Sequence, residues 1–158
     1  MIDRPTEADI PGILSMVAHA GVFTSVDVEC VGELLDDYVH KPGHGGYEFI
    51  VDREDGRLLG LACYGSTPLT EGTFDLYWLC VAAEARRGGV ARRLVAEMEA
   101  DLRRLGARLL VVETSGSDGY RPARAFYLAN GFQRQATIPD YYAPGDDLVV
   151  YTKRYGEA

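Results

Sequence analysis

The segment Arg86-Arg87-Gly88-Gly89-Val90-Ala91-Arg92-Arg93 concentrates residue types that together bind anions. It lies between a strand-like stretch and a helix-like one. The first backbone N–H groups of a helix have no partner within it and carry a partial positive charge. Adjacent glycines let a ligand approach that backbone with no Cβ in the way. Arginines on both sides add full charges and fork-shaped donors. Such a junction can cradle a pyrophosphate. It lacks the Lys-Ser/Thr ending of a nucleotide P-loop and the three-glycine dinucleotide fingerprint, so ATP, GTP and NAD are poor candidates. The plainer alternative is a glycine turn among solvated arginines.

The charge distribution bears on that choice. Residues 1–85 hold 15 acids against 4 bases, a balance of −11. Residues 86–108 hold seven arginines against three acids, a balance of +4, and residues 109–158 add −1 to reach the net −8. A short basic island in an acidic protein points to one local anionic ligand and away from nucleic acid. An arginine-rich helix face in water would give the same run.

Composition excludes other classes. At 158 residues, 47% hydrophobic and 25% charged, the chain reads as a single globular domain over residues 1–158. No apolar run approaches the roughly eighteen residues of a membrane helix, and no secretory pattern opens the chain. Cys30, Cys63 and Cys80 have no metal-like spacing, so a reduced, cytoplasmic setting is expected. His19, His40 and His44 show no partnering pattern, and no metal is expected.

The elements follow from periodicity. Met1–Asp3 fits a short strand, and Thr6 to Asp9 a helix-start box ahead of Ile10, Ile13, Leu14 and Val17 at helical spacing. A second helix is expected over Val26–Tyr38 and a loop over Lys41–Gly46. Tyr47–Asp52 and Leu58–Tyr64 pair as a hairpin around Asp55-Gly56. Thr73–Ala82 is a third strand, Gly88–Leu105 a long helix, and Arg108–Glu113 a strand apolar enough to be buried on both faces. A helix over Arg121–Ala129 and strands over Phe132–Ile138 and Leu148–Arg154 complete the chain, with Asp140–Asp147 as a turn. The order predicts an α/β fold: one mixed, mostly antiparallel sheet of about seven strands, with helices on both faces.

Arg86-x-x-Gly89-x-Ala91, between a strand and a long helix, resembles the acyl-CoA signature of the GNAT superfamily of N-acetyltransferases. Ala125-Phe126-Tyr127-Leu128-Ala129-Asn130-Gly131-Phe132 resembles the helix-to-strand segment that closes the site in that superfamily. The resemblance implies acetyl-CoA as cosubstrate and direct acetyl transfer to a primary amine. It also implies a strand pair splayed at a bulge near Val81, where the backbone of Leu79, Cys80 and Val81 meets the thioester and pantetheine arm. Arg86, Arg87, Gly88, Gly89, Val90, Ala91 and Arg92 would hold the pyrophosphate, and Tyr127 would protonate the departing thiolate.

An attacking amine must also lose a proton, which calls for a carboxylate within reach. Glu113 ends an otherwise apolar strand and matches a glutamate that some superfamily members use as base. Asp75 lies on the third strand, where other members carry theirs. Alternation predicts Asp75, Tyr77 and Leu79 on one face, and Phe74, Leu76 and Trp78 on the other. Cys80 as a nucleophile is outweighed by its apolar neighbours. Tyr141 and Tyr142 either line an acceptor pocket or decorate a Pro-Gly turn. The acidic first half suits a cationic amine, and a homodimer is compatible with the fold. Two rival classes are a silent acyl-CoA-binding module, which needs neither Glu113 nor Tyr127, and a partner-binding domain with no affinity for CoA.

Overall fold

A computed structural model describes residues 1–156. In chain order the elements are β1 (Ile2–Asp3), α1 (Ile10–Ala18), α2 (Ser25–His40), β2 (Glu48–Glu54), β3 (Arg57–Ser66), β4 (Thr73–Val81), α3 (Val90–Arg104), β5 (Leu109–Ser115), α4 (Arg121–Ala129), β6 (Gln133–Ala143) and β7 (Asp146–Arg154). The seven strands form one sheet in the order β1-β2-β3-β4-β5-β7-β6. Every neighbouring pair is antiparallel except β4 and β5, which run parallel. This is the α/β architecture expected from the sequence. Among the described residues no helix is long and apolar enough to cross a membrane.

Local chemistry sets the helix ends. Thr24 and Asp27 form a reciprocal box: the Thr24 hydroxyl accepts from the Asp27 N–H at 3.2 Å, and Asp27 accepts from the Thr24 N–H at 2.7 Å. That cap starts α2 at Ser25. In α3 the residues Leu94, Val95, Met98 and Leu102 bury one stripe. They pack with Tyr127 of α4 on one face of the sheet. On the opposite face Ile13 and Val17 of α1 and Val31 and Leu35 of α2 cover Phe49, Leu61, Cys63 and Cys80.

The β4–β5 pair positions everything that follows. Its ladder runs only from Thr73–Leu109 to Leu76–Val112, after which the strands part. On the other side of β4, Cys63 pairs with Trp78 while Tyr64 pairs with Leu76, leaving Tyr77 as the extra residue of a β-bulge. The bulge therefore lies at the fork itself, earlier in the strand than Val81. It bends and twists β4 away from β5. It also resets the alternation: Leu79 and Val81 join Phe74 and Leu76 on the α3 side, while Trp78 packs with Cys80 on the α1–α2 side. The regular alternation expected for β4 is thus corrected beyond Leu76.

A second correction concerns Asp140–Asp147. Most of it is strand, with β6 running to Ala143 and only Pro144-Gly145 turning the chain. The register slips between Ile138 and Ala143, and Asp140 takes φ +55°. Its carboxylate accepts from the Gly145 N–H at 2.7 Å, and its N–H donates to Asp147 at 3.0 Å. Those bonds let a polar, bulged segment remain paired.

Candidate active site

A cleft of about 740 Å³ opens where β4 leaves β5, on the side bounded by α3 and α4. Its lining includes Leu79, Cys80 and Val81 of β4, then Arg86, Arg87, Gly89, Val90, Ala91 and Arg92 at the start of α3, and Tyr127 of α4. Ten of the eleven residues expected at an acyl-CoA site thus meet at one cavity. Gly88 is behind it.

The backbone explains the cradle. Gly89 is the N-cap of α3 in the left-handed region, φ +75°. Arg87 also sits there, at φ +64°, which a residue with a Cβ adopts at a cost of about 1–2 kcal/mol. Left-handed residues in a short loop turn successive N–H groups toward one concavity. Arg86 donates to the Ala20 carbonyl, and both residues line the cleft. Arg93 donates to the Gly88 carbonyl at 2.9 Å and pairs with Asp52 at 2.7 Å. Arg87 and Arg92 are exposed and form no ion pair among the described residues, so their charge is free at the rim.

The strand arm contributes backbone donors. The Ala82 N–H donates to the Leu59 carbonyl on the β3 side. Strand alternation then aims the Val81 and Leu79 N–H groups the other way, into the gap where β5 no longer runs alongside. Tyr127 is buried among Phe126, Phe132 and Tyr151, with ring centroids 5.8, 5.3 and 5.7 Å away. Among the described residues its hydroxyl forms no hydrogen bond, and no fully buried side-chain oxygen there lacks a partner, so the hydroxyl of this cleft-lining residue is accessible. Burial raises its pKa well above the usual tyrosine value, which keeps the hydroxyl protonated.

Asp75 and Glu113 belong to a second, smaller cleft of about 300 Å³, with Leu76, Tyr77 and Tyr142. It sits at the fork: Leu76 is in the last β4–β5 pair, and Glu113 is the first β5 residue beyond it. The two carboxylates are not equivalent. Asp75 accepts from the Thr67 hydroxyl at 2.5 Å and faces the Tyr77 hydroxyl at 3.5 Å. Glu113 is exposed and has no hydrogen-bond partner among the described residues. Tyr142 is pushed up to about 12 by burial and the Glu113 charge, and Tyr77 to about 12 by burial and Asp75. Both rings flank the acids, so Tyr142 lines this cleft while Tyr141 packs edge-on against it at 5.0 Å.

The family model for the acetyltransferase (GNAT) family matches residues 19–132. A GNAT-family protein from Desulfovibrio desulfuricans is 38% identical, superimposes with a TM-score of 0.94, and each chain covers 98% of the other. The chain belongs to the GNAT acetyltransferase family. A ribosomal-protein-alanine N-acetyltransferase from Brucella melitensis shares the fold at 24% identity and TM-score 0.78, with 98% and 99% of the two chains covered. A Salmonella typhimurium protein, solved with acetyl-CoA as its cofactor, shares it at 19% identity and TM-score 0.78, with 100% and 95% covered. Among curated proteins none matches.

In this GNAT acetyltransferase the sequence reading missed the part of the large cleft's wall built by Val22, Phe23, Gly119 and Tyr120. Phe23, from the α1–α2 loop, stacks edge-on with Trp78 at 5.6 Å and Tyr120 at 6.5 Å. The Tyr120 hydroxyl donates to the Val22 carbonyl at 3.3 Å. These contacts join loops that are distant in sequence. Only the isolated aromatic residues in otherwise polar loops hinted at them.

Cys80 is buried, and desolvation lifts its thiol to about 11. A thiol held protonated is a poor nucleophile. Incubation with acetyl-CoA and no amine should leave the Cys80 peptide unmodified by mass mapping. Acetyl on Cys80, lost again on adding amine, would indicate a two-step route.

Proposed function

We propose that this acetyltransferase is acetyl-CoA-dependent and passes the acetyl group directly to a primary amine in a ternary complex. The observation that carries this reading is the fork. Free strand N–H groups and an anion cradle lie along one side, two carboxylates lie at its apex, and both clefts share β4. The large cleft fits the cosubstrate by shape and chemistry. It has an apolar middle for a pantetheine arm and a helix N-terminus with free arginines for a pyrophosphate. Acetyl-CoA supplies an acetyl group activated as a thioester.

The chain's own groups then have distinct tasks. Backbone N–H groups across Arg86–Ala91, with Arg87 and Arg92, hold the pyrophosphate. The Val81 N–H donates to the thioester carbonyl oxygen, where negative charge grows during attack. Glu113, with its oxygens unengaged, takes the proton from the incoming ammonium, directly or through water. Tyr127, kept neutral by burial, gives its proton to the departing sulfur. Asp75, already bonded by Thr67, orients the acceptor instead of serving as base.

The acceptor is a cationic amine. No arginine or lysine lines the small cleft, its two acids carry no ion pair among the described residues, and two tyrosine rings flank them. Carboxylates and aromatic faces together favour ammonium groups. Steady-state release of free CoA across polyamines, aminoglycosides, amino acids and peptide N-termini tests this. Basic amines should turn over at least tenfold faster than neutral ones. CoA affinity with no release for any amine would favour the silent binding module.

A further inference from the structure

Asp52 is 1% exposed, an acid almost wholly buried on β2 next to Val51. Buried carboxylates are costly without tight partners. Its Oδ2 accepts from Arg93 Nε at 2.9 Å and lies 2.7 Å from the Nη2 of the same guanidinium, and its Oδ1 faces the Met1 amino group at 3.3 Å. The third nitrogen, Arg93 Nη1, donates to the Gly88 carbonyl at 2.9 Å. Asp52 therefore reaches the cradle loop through one side chain.

The sheet register explains why this is possible. Asp52 pairs with Gly60, and Gly60 pairs with Val81, so the three form a row across β2, β3 and β4. A Cβ on Gly60 would lie 2.6 Å from the Val90 side chain and 2.9 Å from the Cys80 carbonyl. Only glycine lets the first turn of α3 rest directly on the sheet here. That close seating brings Arg93 over Asp52 at one end of the row, while Val81 faces the donor cleft at the other.

A peptide unit is planar and trans, so its C=O and N–H point in opposite directions. Arg93 holds the Gly88 carbonyl, and because neither Gly88 nor Arg93 lines the cleft, that carbonyl points away from the cavity that Gly89 lines. The same plane then turns the Gly89 N–H inward. We propose that Asp52 and Arg93 are positioning residues: together they lock the Gly88–Gly89 peptide so that the cradle presents donors, not a carbonyl, to the pyrophosphate. Arg93 does this without contacting the ligand. The inference rests on the reading of Arg86–Ala91 as the pyrophosphate site.

The test compares two donors, acetyl-CoA and S-acetylpantetheine, which lacks the pyrophosphate and nucleotide. Affinities are measured by calorimetry, or by saturation of thermal stabilisation where binding is weak. Asp52→Asn and Arg93→Met should each weaken acetyl-CoA about tenfold, the scale of one lost charge-assisted bond. S-acetylpantetheine should bind within twofold of wild type. The double variant should be no weaker than Arg93→Met alone, because Asp52 acts through Arg93. A general loss of fold would weaken both donors together and overturn the inference, as would an unchanged preference for acetyl-CoA. If Asp52→Asn does not fold, Arg93→Met decides, since that side chain is about half exposed (49%) on α3. A wild type that binds both donors equally would instead sink the pyrophosphate reading beneath it.

Discussion

Phenylalanine at Tyr127 should lower kcat about 10²-fold while the KM for acetyl-CoA stays near wild type. The ring is held by Phe126, Phe132 and Tyr151, and phenylalanine keeps those contacts, so the fold should barely notice the change. The hydroxyl has no partner to leave stranded. What disappears is the one acid proposed for the departing sulfur. A positioned acid contributes about 10²–10⁴ in rate, and a thiolate already leaves well, so the lower end applies. Because burial raises the tyrosine pKa, the wild type should show no loss from Tyr127 ionisation at neutral or mildly alkaline pH. Turnover within about threefold of wild type would mean that water or another group supplies the proton.

Glutamine at Glu113 should cost about 10²–10³ in kcat near neutral pH, and the deficit should shrink as pH rises. The sign follows from the acceptor. An aliphatic amine with a pKa near 10 is almost entirely ammonium at pH 7, and the glutamate is needed to take its proton. At higher pH more amine arrives already neutral, so the variant recovers relative to wild type. Asp75→Asn should behave differently, raising the acceptor KM more than it lowers kcat, because Thr67 already occupies that carboxylate. Loss of turnover in Asp75→Asn with near-normal Glu113→Gln would exchange the two roles. A pH–rate profile of both variants distinguishes these outcomes.

The large cleft was readable because the residue types that line it are unusual. Two glycines between paired arginines at a strand-to-helix junction have few other uses, and of these residues Arg86, Arg87, Gly89 and Arg92 line the cleft. Tyr127 came only through the family resemblance, since an aromatic beside Phe126 on a helix reads as core. The resemblance implied a bulge near Val81, but its place at Tyr77 was invisible. Asp75, Tyr77 and Leu79 alternate perfectly in sequence, and only pairing with β3 shows that Tyr77 is the extra residue. Asp52 went unnoticed because an acid after an apolar run looks like a strand end reaching water, whereas here α3 covers it. The Asp140–Asp147 segment misled in the opposite direction. Its aspartates, proline and glycine suit a turn, but two side-chain bonds keep most of it in strand.

The measurement that bears most directly on the whole account is a calorimetric titration of acetyl-CoA into the wild type and Gly89→Val. Gly89 holds φ +75°, where a β-branched residue is strained, so the variant should lose about 1–2 kcal/mol of stability. The nearest atom to an added Cβ is Arg93 Nη1 at 3.6 Å, so crowding within the protein adds little. The binding surface suffers more, because the cap that aims the N–H groups is distorted and a branched side chain stands where the phosphates should approach. Saturable binding to the wild type, weakened at least tenfold in a Gly89→Val protein that remains folded, is the predicted result. Equal affinity in the two folded proteins would contradict the account, because the Arg-Gly junction would then not be where the cosubstrate is held.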